Sequence, residues 1–232
     1  MNYEYFHLRI AGVCAIATAL CEVAGTAIGE VYGLGGQNLP VATHEELGLL
    51  AESSLPFLLR EWFYLFVAIF AIGEGLGLYF LMRNSSLALW AVIAWIVGLM
   101  VGIVEDAAVI GLINHVVSVY PVATETSRES MLFATGLSFE TIKIQQFISL
   151  LLSVGVGGLL FSVVGWRSRA LPRWLCIVGI LAAVTTGWCF GLCNVVLDSE
   201  DAALLFENGF ALVVIWDLTV GIVLLSSATN AT

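Results

Sequence analysis

Two carboxylates stand where an apolar chain tolerates them least: Glu74 within the run Phe63–Leu81 and Asp217 within Leu212–Leu225. An acid near the centre of a bilayer costs at least a few kcal/mol, so it normally faces a bundle interior, a partner or water. Counted from the nearer helix ends, the two lie at comparable depth at about 1.5 Å per residue, so they can meet in a shared core. Away from bulk water and near other acids, either could carry a proton at neutral pH. Glu74 and Asp217 are therefore candidate proton or cation sites. The competing account is a protonated carboxyl that makes one structural hydrogen bond.

A second group, Glu22, Glu105 and Asp106, with Glu61 and Glu207 as further candidates, falls in the outer half of the apolar spans set out below. Together these acids could line an outward-opening vestibule; alternatively, they are helix ends reaching the interface. Glu105 and Asp106 point about 100° apart on a helix, so at most one is expected to face the bundle centre squarely. Glu140 and Lys143, spaced i, i+3, can form an ion pair on one face or reach separately toward the interface.

Other chemistry is thin. His115, beside Asn114, is a weak metal-ligand candidate with Glu105 or Asp106, but the other two histidines, His7 and His44, lie in different regions. No metal site, haem or other cofactor is therefore expected. No Gly-x-Ser-x-Gly and no Ser, His and Asp set supports a hydrolase, so no catalytic residue is assigned and the balance leans away from an enzyme.

The elements that hold these residues follow from composition. The chain is 60% hydrophobic and only 11% charged, where soluble domains carry about a quarter charged residues, and its mean hydropathy is +1.00. About 20 apolar residues cross the hydrocarbon core as a helix. Six such stretches, at 8–29, 56–82, 87–111, 140–165, 173–197 and 203–227, predict an all-α polytopic bundle forming one integral membrane domain over 1–232. Arg9 before an apolar run outlines a signal peptide, but Glu22 follows and the run resumes, which favours a retained first helix. Pro40, Pro56, Pro121 and Pro172 fall in loops or at helix starts and kink none.

Two outer-loop segments read as surface helices. Thr43-His44-Glu45-Glu46 opens the first in a capping-box pattern, expected to rest on the membrane surface. Thr126-Ser127-Arg128-Glu129 opens the second, with Gly136 as its break before the fourth span. Arg9, Arg83, Arg167, Arg169 and Arg173 collect on one side, which the positive-inside rule makes cytoplasmic, with both termini there. The eighteen acids against eight bases reflect this sidedness and predict no partner. No basic patch supports nucleic-acid binding.

Four Gly-xxx-Gly spacings, Gly25/Gly29, Gly73/Gly77, Gly98/Gly102 and Gly187/Gly191, allow close helix approach inside the bundle or between copies. The first three spans show no convincing likeness to the last three, so an inverted repeat is not supported. Cys14, Cys21, Cys176, Cys189 and Cys193 lie in apolar runs without disulfide or metal spacing and read as small hydrophobes.

Two stretches carry a family resemblance: Leu78-Tyr79-Phe80-Leu81-Met82-Arg83-Asn84 leading into Ser86-Leu87-Ala88-Leu89, and Arg167-Ser168-Arg169-Ala170-Leu171-Pro172-Arg173-Trp174-Leu175. With Arg9-Ile10-Ala11-Gly12, they resemble the prokaryotic six-span membrane family called domain of unknown function 4386. The resemblance implies six-span architecture in a prokaryotic cell membrane and no particular reaction. The first loop departs from the family's hydrophilic segment, being Gly-rich before Thr43-His44-Glu45-Glu46.

The sequence thus supports a small transport or ligand-binding bundle embedded in lipid, acting on an unidentified small solute or ion. The alternative is a non-catalytic accessory subunit or assembly factor whose glycine faces meet a membrane partner or a second copy.

Overall fold

In lipid, each backbone N–H and C=O must be satisfied within its own segment, so runs as apolar as these become helices. The computed structural model is helical throughout, with no strand among its described residues. It describes residues 3–32, 43–52, 54–190, 192 and 202–229, the side chains of 3–5, 46, 49 and 202–208 excepted.

The helices are α1 (Tyr3–Val31), α2 (His44–Glu52), α3 (Ser54–Met82), α4 (Ser86–Val119), α5 (Glu125–Leu150), α6 (Leu159–Ser168), α7 (Arg173–Ala182) and α8 (Ala202–Thr229). A 3-10 turn, Tyr120–Val122, links α4 to α5. Wider π-helical segments, Leu151–Gly158 and Ala183–Phe190, follow α5 and α7. Six of the resulting helical stretches are long and apolar enough to cross a membrane. Their outward side chains, among them Val13, Ile69, Val97, Leu181 and Ile222, are exposed as lipid contact requires.

The spans close into a ring. α1 packs between α3 and α8, α3 passes the ring to α4, α4 meets the α5–α6 span, and that span meets the α7 segment, which returns to α8. At the arginine-bearing end the ring is filled: Leu78, Met82, Ala88, Phe161, Leu175 and Leu224 form one buried core. Close approach there requires glycine, since a Cβ on Gly73 would come 2.7 Å from Cys14 Sγ and one on Gly77 would strike Ala11. Trp90, Trp166 and Trp174 lie exposed around this end, as interfacial anchors do.

The other end differs from the sequence expectation in three ways. α5 starts at Glu125 and runs unbroken through Gly136, so the anticipated second surface helix is the projecting end of the fourth span. A mid-helix glycine costs only about 1 kcal/mol relative to alanine, which packing along a helix of this length overrides. Its cap is also Thr124, whose side chain accepts from the Ser127 N–H, two residues before the anticipated one. α4 likewise continues to Val119, beyond the expected end near 111.

Third, α2 packs on protein. Leu47 and Leu50 are buried against Val109, Ile113, Val116 and Tyr120, so its apolar face covers the projecting end of α4. Most of the residues expected to finish the fifth span, 191 and 193–197, lie outside the described residues, Gly191 and Cys193 among them, as does Pro40.

Candidate functional site

The buried core stops at Trp95. This indole is held across two helices: its Nε1 donates to the Ala71 carbonyl at 2.8 Å, and its ring meets Phe161 and Trp216 at centroid separations of 6.0 and 5.8 Å. Gly75 provides the room, since a Cβ there would approach Trp95 Nε1 to 2.9 Å. Beyond this tryptophan the helices separate around a cavity of about 570 Å³.

All six spans contribute to its wall. α1 supplies Thr18 and Glu22, α3 supplies Arg60, Glu61 and Tyr64, and α4 supplies Trp95, Glu105 and Asp106. The fourth span adds Glu140, Lys143, Ser149 and Ser153, the second π segment adds Thr186, and α8 adds Asp217. Wide turns are frequent at functional sites because they displace side chains from the regular helical register. Here the two wide segments pack together, with Gly155 against Gly187 and Trp188 Nε1 donating to the Gly155 carbonyl at 3.0 Å.

Asp217 and Glu74 do not share the cavity equally. Asp217 lines it and is 2% exposed, whereas Glu74 is fully buried behind the lining. Asp217 nevertheless stands near enough to both Glu74 and Glu22 for the three carboxyls to interact electrostatically. Glu22 Oε2, Asp217 Oδ1 and both oxygens of Glu74 meet no N–H or hydroxyl donor among the described residues. Buried carboxyls this near one another are stable only when they hold protons or a cation sits beside them.

Glu105 and Asp106 are both buried, 9% and 7% exposed, and both line the cavity. The 100° between adjacent helical residues therefore does not expel either, because the space spans a wide arc of the α4 surface. Glu61 lines it too, in a buried ion pair with Arg60: Arg60 Nη2 to Glu61 Oε1 is 2.8 Å, and Nε donates to the same oxygen at 2.9 Å. Glu140 and Lys143 line the same wall of α5, with Glu140 exposed at the mouth. Glu207 belongs to α8, but its side chain lies outside the described residues.

His115 is separate from this site. It is exposed near the end of α4, about nine residues or ~13 Å along the helix from Asp106, and does not line the cavity. No three His, Cys, Asp or Glu side chains converge as a metal site among the described residues. Cys14, Cys21, Cys176 and Cys189 are free thiols.

Several cavity residues carry little sequence signal. Arg60 reads as a charge near a helix end because it lies in the second turn of its span, and Tyr64 and Trp95 resemble ordinary apolar filling. Thr18, Ser149, Ser153 and Thr186 are the small polar residues that commonly bond a preceding carbonyl in any membrane helix. Thr18 and Ser153 do so, to Cys14 and Ser149. Depth offers only a partial signal: Arg60 and Tyr64 fall in the cavity half of their span, as Glu22 and Asp106 do in theirs, whereas Trp95 lies in the other half of α4.

A ring of six apolar helices, packed at one end and hollow with buried carboxylates toward the other, defines a polytopic membrane bundle in contact with lipid. The chain belongs to the family described as Domain of unknown function (DUF4386), matched over residues 10–227. Neither the curated proteins nor the solved structures provide a match.

Proposed function

We propose that this protein binds a small solute within a prokaryotic cell membrane and moves it, or protons or cations exchanged with it, through the acidic cavity. The observation that carries this reading is the continuity of one cavity from Glu105, Asp106 and Glu61 to Glu22 and Asp217. Its volume, about 570 Å³, falls within the ~300–1,000 Å³ of small-molecule sites. Glu74, near Asp217 but behind the lining, exchanges a proton with it in this reading. In this reading the arginine-bearing end and both termini are cytoplasmic, and the cavity faces outward.

The test is flux of protons and monovalent cations in proteoliposomes carrying wild type, Glu74→Gln or Asp217→Asn, together with ligand-induced thermal stabilisation across a solute panel. The proposal expects flux or stabilisation in wild type and its loss in Asp217→Asn. Neither flux nor stabilisation by any solute would sink it. Stoichiometric co-purification with another membrane protein, without either signal, would instead favour the accessory role.

A further inference from the structure

The cavity's occupant can be narrowed by its chemistry. We propose that it is an organic cation with an apolar or aromatic body, its positive centre seated on the cavity side of Glu22 and Asp217, beside both. This assignment rests on the ligand-binding reading above.

Three observations converge. First, Glu22 is 5% and Asp217 2% exposed, both line the cavity, and Glu22 Oε2 and Asp217 Oδ1 have no donor partner among the described residues. The unmet need at the deep end is for positive charge or a hydrogen-bond donor, not for an acceptor.

Second, the charge lining the space is unbalanced: seven acidic side chains stand against Arg60 and Lys143. Arg60 is held by Glu61, and Lys143 stands one helical turn from Glu140 nearer the mouth. An anion drawn to either would also face the surplus acids.

Third, the remaining wall is apolar and aromatic. Val67, Leu99 and Val213 join Tyr64, Phe210 and the Trp95 floor. The Tyr64 ring packs on Gly25, where a Cβ would stand 3.0 Å from it, so it lies one turn of α1 from Glu22. Aromatic rings beside a carboxylate pair are a recurrent seat for organic cations. A bare inorganic cation would instead need about six to eight oxygens closing around it; this cavity is too wide and too apolar for that.

The test uses full-length protein in lipid nanodiscs and ions whose charge cannot titrate. Tetraphenylphosphonium and the smaller benzyltrimethylammonium are the cationic probes, and tetraphenylborate is the shape-matched anion for the first. Saturable binding of at least one cation, at least tenfold tighter than the borate, is expected. Glu22→Gln and Asp217→Asn should each weaken cation binding at least tenfold. Glu45→Gln, an exposed acid on α2 away from the cavity, should leave it unchanged.

Two variants guard against one failing to fold, and the thermal midpoint of each confirms that it has. Equal or tighter binding of the borate, or cation binding indifferent to both variants, overturns the assignment. If neither cation binds while a neutral or anionic solute from the panel does, the assignment fails and the ligand-binding reading stands. If nothing binds, both fall.

Discussion

Trp95 Nε1 donates to the Ala71 carbonyl at 2.8 Å, and this contact ties α4 to α3 at the level where the packed core gives way to the cavity. It depends on Gly75, whose missing side chain leaves space for the indole. Two effects can therefore be separated. Trp95→Phe keeps an apolar floor and removes the bond, a loss of about 0.6–1.7 kcal/mol for an interhelical hydrogen bond in lipid. Gly75→Ala keeps the indole but forces it aside, with an overpacking cost of about 1–3 kcal/mol. Unfolding midpoints in one detergent should fall for both variants, and an unchanged midpoint for Gly75→Ala would refute the packing described.

The buried pair Arg60–Glu61 gives a second test. Removing one partner of a buried ion pair costs about 3–5 kcal/mol because the other charge is left uncompensated, while replacing both with apolar residues is often close to neutral. Arg60→Met alone should lower stability strongly, and Arg60→Met with Glu61→Leu should recover much of the loss. If the double variant loses the sum of the two single losses, the pair is not the unit it forms in the structure, with its 2.8 Å separation.

How far the sequence reaches can be judged on these same residues. The six spans were legible because apolar length is set by bilayer thickness, and the arginine-bearing turns at Arg83 and Arg167 marked one end. The cavity was only partly legible. Acids at Glu22, Glu105 and Asp217 announce themselves by their cost in lipid, but nothing in the sequence tells that Arg60, near the start of its span, faces the cavity. Depth alone placed Glu74 and Asp217 together; it could not say that one lines a cavity and the other stands behind it. The π segments left no readable pattern, because a widened turn is decided by which helix it meets, here Gly155 against Gly187. Helix continuity through Gly136 was likewise decided by packing along the span rather than by local propensity.

α2 is fixed to the bundle by apolar contact more than by its ion pair. His44 Nε2 stands 3.1 Å from Glu129 Oε1, but both side chains are largely exposed, and exposed pairs contribute about 0–1 kcal/mol. Tyr120 adds a hydrogen bond from its hydroxyl to the His44 carbonyl at 3.0 Å. Leu47, by contrast, is fully buried, and truncating such a leucine costs about 2–5 kcal/mol. Hydrogen exchange over residues 44–52 should rise far more in Leu47→Ala than in Glu129→Gln. The reverse order would show that the polar contacts hold the helix.

Chemical access can establish both the sidedness and the reach of the cavity. In a background with the five native cysteines replaced by alanine, single cysteines at Glu140, Thr186 and Phe161 sample the mouth, the interior and the packed core. The first two positions line the cavity, whereas Phe161 is fully buried in the core. A membrane-impermeant, positively charged thiol reagent added to intact cells should modify Glu140→Cys quickly and Thr186→Cys more slowly, and should leave Phe161→Cys unreacted. A cysteine at Arg169, in the turn between α6 and α7, should react only after the membrane is opened. Labelling at Arg169 but not Glu140 in intact cells would invert the orientation, placing the cavity mouth on the cytoplasmic side. Failure of Thr186→Cys to react from either side, with Glu140→Cys reactive, would mean that water does not reach the depth of Glu22 and Asp217. A hydrated cation could not then arrive there without a prior opening of the helices.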